Sequence, residues 1–295
     1  MKTNIKGGGV ALITPFKDSG EIDFEALERL LNRVISGGTD YLVVLGTTAE
    51  TPTLSAEERI AVTKFVIEKN NGKLPIVLGI GGNCTADVVR SIQTTDLEGV
   101  DAILSVTPYY NKPSQEGIYQ HYKTIAEASP RPIVMYNVPG RTGVNMAAAT
   151  TLRLAHECKN IIAVKEASGN IAQAAYILRD RPEGFYVISG DDNLTLPMMA
   201  MGGDGVISVA VNAYPEKFCR MVHALQQGDV KTAAPLHLEM MEATDALFAE
   251  GNPVGVKAAL TYYGVIRNNL RLPLVASSAA LDARLKNLIE RYDLK

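Results

Sequence analysis

Tryptophan is absent from this 295-residue sequence and aromatic residues make up only 6% of it, so any core must be aliphatic. Ala, Val, Ile and Leu have to fill it in tight layers. Cysteine is scarce: Cys84, Cys158 and Cys219 are far apart, odd in number and outside any CxxC or Cys/His ligand spacing. They fit reduced thiols in a cytosolic protein, not a disulfide framework or a metal site. A basic excess is missing too. The 29 Lys and Arg residues against 32 Asp and Glu give a net charge of −3, with no basic tract of the kind that binds nucleic acid. No apolar run is long enough to span a bilayer, because the stretch Leu194–Tyr214 is broken by Pro197, Gly202, Gly203, Asp204 and Gly205. The N-terminal MKTNIKGGGVALITPF has too short an apolar run, ended by Pro15, to be a signal peptide. Nucleotide loops are missing as well: Gly7-Gly8-Gly9 and Gly79-x-Gly81-Gly82 do not form GxGxxG, and no GxxxxGK[ST] occurs. The four histidines, His121, His156, His223 and His237, fall in helical stretches without metal-ligand spacing. These absences predict a cytoplasmic, soluble protein with no metal, nucleic-acid or membrane partner.

What is present is alternation. Short aliphatic runs recur at Val10–Thr14, Tyr41–Leu45, Ile76–Ile80, Ala102–Thr107, Ile133–Tyr136, Ile161–Lys165, Tyr186–Ser189 and Gly205–Val209. Consecutive Val, Ile and Leu mark parallel strands buried on both faces. Between them lie amphipathic stretches with start signals. Asp23 precedes Leu27, Leu30, Leu31 and Val34 on one helical face, and Ser55 with Glu58 forms a capping box. Thr85, Ser114, Asn145, Asn170 and Asp192 offer cap oxygens at the following starts. Eight such units predict an α/β fold, a (β/α)₈ TIM barrel, with an open doubly wound sheet as the alternative that pattern alone does not exclude. After Tyr214 the strands stop, and Pro215–Gln227, Val230–Glu250, Val254–Tyr263 and Ser278–Tyr292 read as helices. The expected organisation is a barrel over residues 1–227 and a C-terminal helical region, 228–295, packed on it.

Barrels carry chemistry at the C-terminal ends of their strands. Lys165 ends the apolar run Ile161-Ile162-Ala163-Val164 and shares a face with Ala163 and Ile161. That face is either the barrel mouth or the helix ring. In the mouth, lost solvation would lower the amine's pKa toward neutrality and free it to form a Schiff base with a carbonyl compound. The bland alternative is a strand-end lysine paired with Glu166. Tyr136, Tyr109 and Tyr110 also sit at strand ends, where a phenol either shuttles protons through a hydrogen-bonded chain or packs on the rim. Arg141 follows the turn Pro139-Gly140 and presents a guanidinium suited to a carboxylate, or to an ordinary loop ion pair. Gly46-Thr47-Thr48 offers backbone N–H groups and hydroxyls to a small anion, or is an ordinary turn.

Taken together, the strings GVALITPF, GTTAETPTLS, TPYYNKPSQEG, YNVPGRTG, VKEASGN and SGDD, in this order from about Gly9 to Leu272, resemble the dihydrodipicolinate synthase family of pyruvate-dependent class I aldolases. The resemblance implies that Lys165 forms a Schiff base with pyruvate, whose enamine attacks L-aspartate 4-semialdehyde, with no other cofactor. Tyr136 would be the general acid/base, and Thr47 would link it to Tyr110 of a neighbouring chain. Thr48 would help bind the pyruvate carboxylate, Arg141 the second substrate's carboxylate, and the Ile207 carbonyl would lie close by. A homotetramer, a dimer of dimers, is implied as well. Arg141 favours the synthase over N-acetylneuraminate lyase-like sugar-acid aldolases, which as a group lack an arginine there. Two departures stand out. Position 49 is Ala where the family turn usually has Gly, so a left-handed backbone there would be strained by about 1 kcal/mol. In the cleft where relatives bind lysine, Asn83 and Tyr109 match, whereas Thr51, Ala56, Arg59 and Asp87 depart from strongly regulated members.

Overall fold

A computed structural model of the chain describes residues 4–294. Eight parallel strands close into a barrel in sequence order. They are β1 (Gly7–Ala11), β2 (Tyr41–Val44), β3 (Ile76–Gly79), β4 (Ala102–Val106), β5 (Ile133–Asn137), β6 (Ile161–Glu166), β7 (Tyr186–Ser189) and β8 (Gly205–Ser208). Closure is made by β1 against β8, with Gly9 opposite Ile207, and rules out the open sheet.

The first strand starts earlier than its aliphatic residues suggest, at Gly7 instead of Val10. The reason is crowding at the barrel floor. Tyr41 stands inside, its hydroxyl donating to the Val206 carbonyl at 3.1 Å, and a Cβ on Gly9 would lie 2.2 Å from its ring. One phenol thus fills a volume that the aliphatic residues leave open, and glycine opposite makes room for it.

Strand parity sorts the side chains into two cores. Ala11, Val43, Val77, Leu104, Val134, Ala163, Ile188 and Ile207 form the lumen cluster. Their neighbours in sequence, such as Leu42, Ile103, Met135, Val164 and Val206, pack outward against the helices. Those helices are α1 (Phe24–Ser36), α2 (Ala56–Asn70), α3 (Thr85–Thr94), α4 (Gln115–Ala128), α5 (Pro139–Thr142), α6 (Ala148–Glu157), α7 (Ile171–Asp180), α8 (Thr195–Ala200), α9 (Ala210–Ala213) and α10 (Pro215–Gln226). The C-terminal helices follow as α11 (Val230–Phe248), α12 (Val254–Tyr262) and α13 (Ala279–Arg291). Helix α11 packs on α10, and α12 packs on α9, so this region is laid against the barrel.

Asp23, Ser55, Ser114 and Asn170 cap their helices as expected, Ser55 within a reciprocal capping box with Glu58. Three expected caps are corrected. Cys84 occupies the cap position of α3, and the Thr85 hydroxyl instead meets His121 Nδ1 at 2.8 Å. Helix α6 starts beyond Asn145, whose amide is drawn away to Asn137 and Gln173. Asp191, not Asp192, caps the turn Asp192–Leu194. In each case a tertiary partner outcompetes the local one. No described helix is long and apolar enough to cross a membrane.

Candidate active site

The register at the barrel mouth sets Lys165 between Tyr136 of β5 and Ile188 of β7. Lys165 has the parity of Ala163 and therefore points into the lumen. Only 6% of it is exposed, and its Nζ lies 4.3 Å from the centroid of the Tyr136 ring. It forms no salt bridge among the described residues. Glu166, one position on, faces the other way. Its buried carboxylate accepts from Asn137 Nδ2 at 3.1 Å, Gln173 Nε2 at 3.0 Å and the Ser168 amide at 2.8 Å. The expected alternative of a Lys165–Glu166 pair is thus excluded by strand parity, and no carboxylate competes for the amine.

The turn after β2 carries the two threonines. Thr47–Ala49 and Thr51–Thr53 are short 3₁₀ turns joined at Glu50, whose φ of 54° is left-handed. Ala49 is buried, and the positive φ lies beside it at Glu50, so the strain expected at Ala49 does not arise. Thr48 is buried and its Oγ1 accepts from Asn252 Nδ2 at 3.0 Å. Having accepted, the Thr48 hydroxyl keeps its own proton to donate. The hydroxyls of Thr47 and Tyr136 form no hydrogen bond among the described residues. Tyr110 stands 89% exposed on the rim with a φ of 70°, so the single chain does not join it to either.

Arg141 lies in α5 after β5, and its Nη2 reaches the Asn252 carbonyl at 3.5 Å. It forms no ion pair among the described residues, which removes the loop salt bridge as its explanation. Ile207 is a buried lumen residue of β8. Asn83 and the Tyr109 segment are bridged by Asn111, whose Nδ2 donates to the Asn83 carbonyl and whose amide donates to the Tyr109 carbonyl. Thr51 and Asp87 are engaged elsewhere. The Thr51 hydroxyl donates to the Gly46 carbonyl at 2.9 Å, and Asp87 pairs with Arg90 at 2.8 Å.

Several residues around the mouth are not among the site residues of the sequence reading. Gly190 follows β7 and lies against the Lys165 stem: a Cβ there would be 2.9 Å from Lys165 Cε. Asn252 bridges Thr48 and Arg141. Its partners are more than a hundred residues away, and no local signal announces it. Tyr122 and Thr107, both buried, grip the Tyr136 backbone from outside the barrel, the Tyr122 hydroxyl accepting from its N–H at 3.4 Å and Thr107 donating to its carbonyl at 3.0 Å. Glu50 and Lys257 form an ion pair with both side chains fully buried. A charged residue inside the apolar run Val254-Gly255-Val256-Lys257-Ala258 is the signal that could have flagged it. Losing one partner of such a pair costs about 3–5 kcal/mol. Asp192, buried behind the ends of β7 and β8, accepts from the Val209 and Ala210 amides, and burial pushes its carboxyl up to about 6.

The arrangement is one of an unpaired amine beside a phenol, an anion-sized turn with a free hydroxyl proton, and an unpaired guanidinium. It suits carbonyl chemistry on small acids. The described residues contain no cluster of His, Cys, Asp and Glu able to hold a metal ion.

The family model for the dihydrodipicolinate synthetase family matches residues 4–292. A curated relative from Parabacteroides distasonis, 4-hydroxy-tetrahydrodipicolinate synthase, is 54% identical over 292 residues, covering 99% of this chain and 98% of the relative. The crystal structure of dihydrodipicolinate synthase from Thermotoga maritima is 40% identical, with a TM-score of 0.96 over 98% of this chain and 99% of that one. The chloride-inhibited dihydrodipicolinate synthase from Acinetobacter baumannii, complexed with pyruvate, is 38% identical, with a TM-score of 0.96 over 99% of this chain and 100% of that one.

Proposed function

The chain belongs to the dihydrodipicolinate synthetase family, and from that premise we propose that it condenses pyruvate with L-aspartate 4-semialdehyde to 4-hydroxy-tetrahydrodipicolinate, a lyase step in lysine and diaminopimelate biosynthesis. The observation that carries this reading is Lys165, a lumen amine without a counter-ion, beside the Tyr136 ring. Lys165 Nζ adds to C2 of pyruvate, water leaves, and an iminium forms. Loss of a proton from C3 gives the enamine, whose C3 attacks the aldehyde carbon of the second substrate. The resulting alkoxide takes up a proton. The amino group of the adduct then adds to C2 and expels Lys165, closing the ring. The iminium is its own electron sink, so the scheme calls for no other cofactor.

Tyr136 serves as the acid/base for these transfers, with Thr47 passing protons toward Tyr110. Thr48 and the turn amides hold the pyruvate carboxylate, near the Ile207 carbonyl, and Arg141 holds that of the semialdehyde. Tyr110 acts on a neighbouring subunit: full exposure of a phenol in a left-handed backbone suits a residue that completes another chain's relay. The assembly is a homotetramer built as a dimer of dimers. Arg141 weighs against the sugar-acid aldolase alternative. Lysine feedback at the cleft of Asn83, Tyr109, Thr51 and Asp87 is at most weak in this reading, because Thr51, Ala56, Arg59 and Asp87 depart from strongly regulated members.

The test is trapping. Pyruvate and borohydride should label Lys165, read by peptide mass, and an unlabelled Lys165 would refute the scheme. Turnover with aspartate semialdehyde against N-acetylmannosamine and glyceraldehyde decides the acceptor.

A further inference from the structure

The Thr47–Ala49 turn closes on its own hydrogen bonds, the Ala49 amide donating to the Gly46 carbonyl at 3.1 Å and the Glu50 amide to the Thr47 carbonyl at 3.2 Å, but its place at the barrel mouth is set from outside. It is bounded by two non-glycine residues in left-handed conformations, Leu45 and Glu50, and its outside contacts come largely from the far end of the chain. Lys257 Nζ pairs with Glu50 Oε1, and the Arg271 amide donates to Glu50 Oε2 at 3.0 Å. Asn252 Nδ2 donates to Thr48 Oγ1 at 3.0 Å. Among the described residues only the Thr14 hydroxyl, donating to the Ala49 carbonyl at 2.8 Å, ties the turn to the barrel's first loop by a hydrogen bond. Lys257 is itself fixed, donating to the Asn269 carbonyl at 2.9 Å and lying 4.2 Å from the centroid of the Phe16 ring. Both charged side chains are fully buried, and Lys257 sits in the middle of α12.

A buried ion pair is a poor source of stability, since apolar residues of similar volume do as well or better. What it supplies is direction: the carboxylate must meet Lys257 on one oxygen and the Arg271 amide on the other. We infer that the Glu50–Lys257 pair is a positioning device for the keto-acid site, by which α12 fixes the Thr47–Ala49 turn and sets the affinity for pyruvate. This rests on the reading that Thr48 and the turn amides hold the pyruvate carboxylate. The C-terminal helices then form part of the substrate site at one remove, although none of their residues belongs to the βα loops.

The test replaces the pair by neutral residues of similar size, Glu50→Gln with Lys257→Met, in the full-length chain. The expected outcome is a pyruvate KM raised about tenfold or more, with kcat at saturating pyruvate held within about threefold. A pair that merely stabilised the fold would lower Tm and leave KM alone, so a folded double variant with the parent's pyruvate KM overturns the inference. If the double variant fails to fold, Glu50→Asp alone, which keeps both buried charges and both acceptor oxygens but shortens the reach to Lys257 and the Arg271 amide by one methylene, should raise the same KM by a smaller factor. A parental value there overturns the inference equally. Thr48→Val separates the two levels. If it raises KM while the pair variants do not, the tether is refuted and the Thr48 assignment stands. If Thr48→Val leaves KM unchanged, the Thr48 assignment falls and takes the inference with it.

Discussion

Gly190→Ala is the smallest change that should disable the nucleophile without touching it. Gly190 follows β7, its N–H donates to the Glu166 carbonyl at 2.8 Å, and its φ is not in the left-handed region. Alanine is therefore compatible with the backbone, and the obstacle is space alone. The new Cβ would lie 2.6 Å from Ala167 Cβ, 2.9 Å from Lys165 Cε and 3.1 Å from Lys165 Cγ. Carbon atoms pack at about 3.5–4.0 Å, which leaves a shortfall of roughly 0.6–1 Å at Cε. Ala167 has no rotamer to change, so its contact is relieved by a small backbone shift, and the flexible lysine stem must give way as well. Overpacking of this kind costs about 1–3 kcal/mol of stability. A displacement of about 1 Å at a reacting atom costs on the order of 10²-fold in rate. The assay is the rate of Schiff-base formation, followed by quenching with borohydride at intervals and measuring the labelled Lys165 peptide, with a thermal melt in parallel. The expected result is a folded protein that labels Lys165 about 10²-fold more slowly. Labelling at the parental rate would refute the reasoning, because it would mean that the lysine does not need the space that glycine leaves.

Arg141→Met should leave pyruvate trapping on Lys165 intact while lowering kcat/KM for the semialdehyde about 10²-fold, the worth of one or two charge-assisted hydrogen bonds. Loss of trapping would show that Arg141 serves the first substrate. Ala49→Gly, the change toward the more usual family turn, should destabilise by about 1–2 kcal/mol through lost methyl burial and added backbone freedom. Urea unfolding measures it, and a stabilised variant would mean that the position prefers a left-handed backbone. His121 is pulled by burial from 6.5 to about 4, its Nε2 enclosed without a partner. The unfolded chain binds a proton between those values that the folded chain does not, so this contribution to stability is intact above 6.5 and lost as pH falls toward 4. Between pH 7 and pH 5 it amounts to about 2 kcal/mol. His121→Phe should shrink the stability difference between those two pH values by that amount, and an unchanged difference would refute the role.

The sequence by itself determined the eight strands, the helices that alternate with them and the four that follow, since a parallel strand buried on both faces must be a contiguous aliphatic run. It also placed Lys165, Tyr136 and Arg141 at strand ends, where barrel chemistry gathers. It left open whether Lys165 faces the lumen or the helix ring, because period-2 alternation separates two faces without saying which one is inside. Closure of β1 on β8 decided that, sending Lys165 inward and Glu166 to its amide partners outside. The same limit explains the misplaced caps at Thr85, Asn145 and Asp192, since local cap chemistry competes with tertiary partners that no local window contains. The left-handed backbone expected at Ala49 belongs to Glu50, whose side-chain carboxylate is held by Lys257 of α12 and by the Arg271 amide. Glu50 and Lys257 are 207 residues apart in the chain. A buried charge is visible in sequence only as an anomaly in an apolar run, and its partner becomes known once folding has brought the two out of water together.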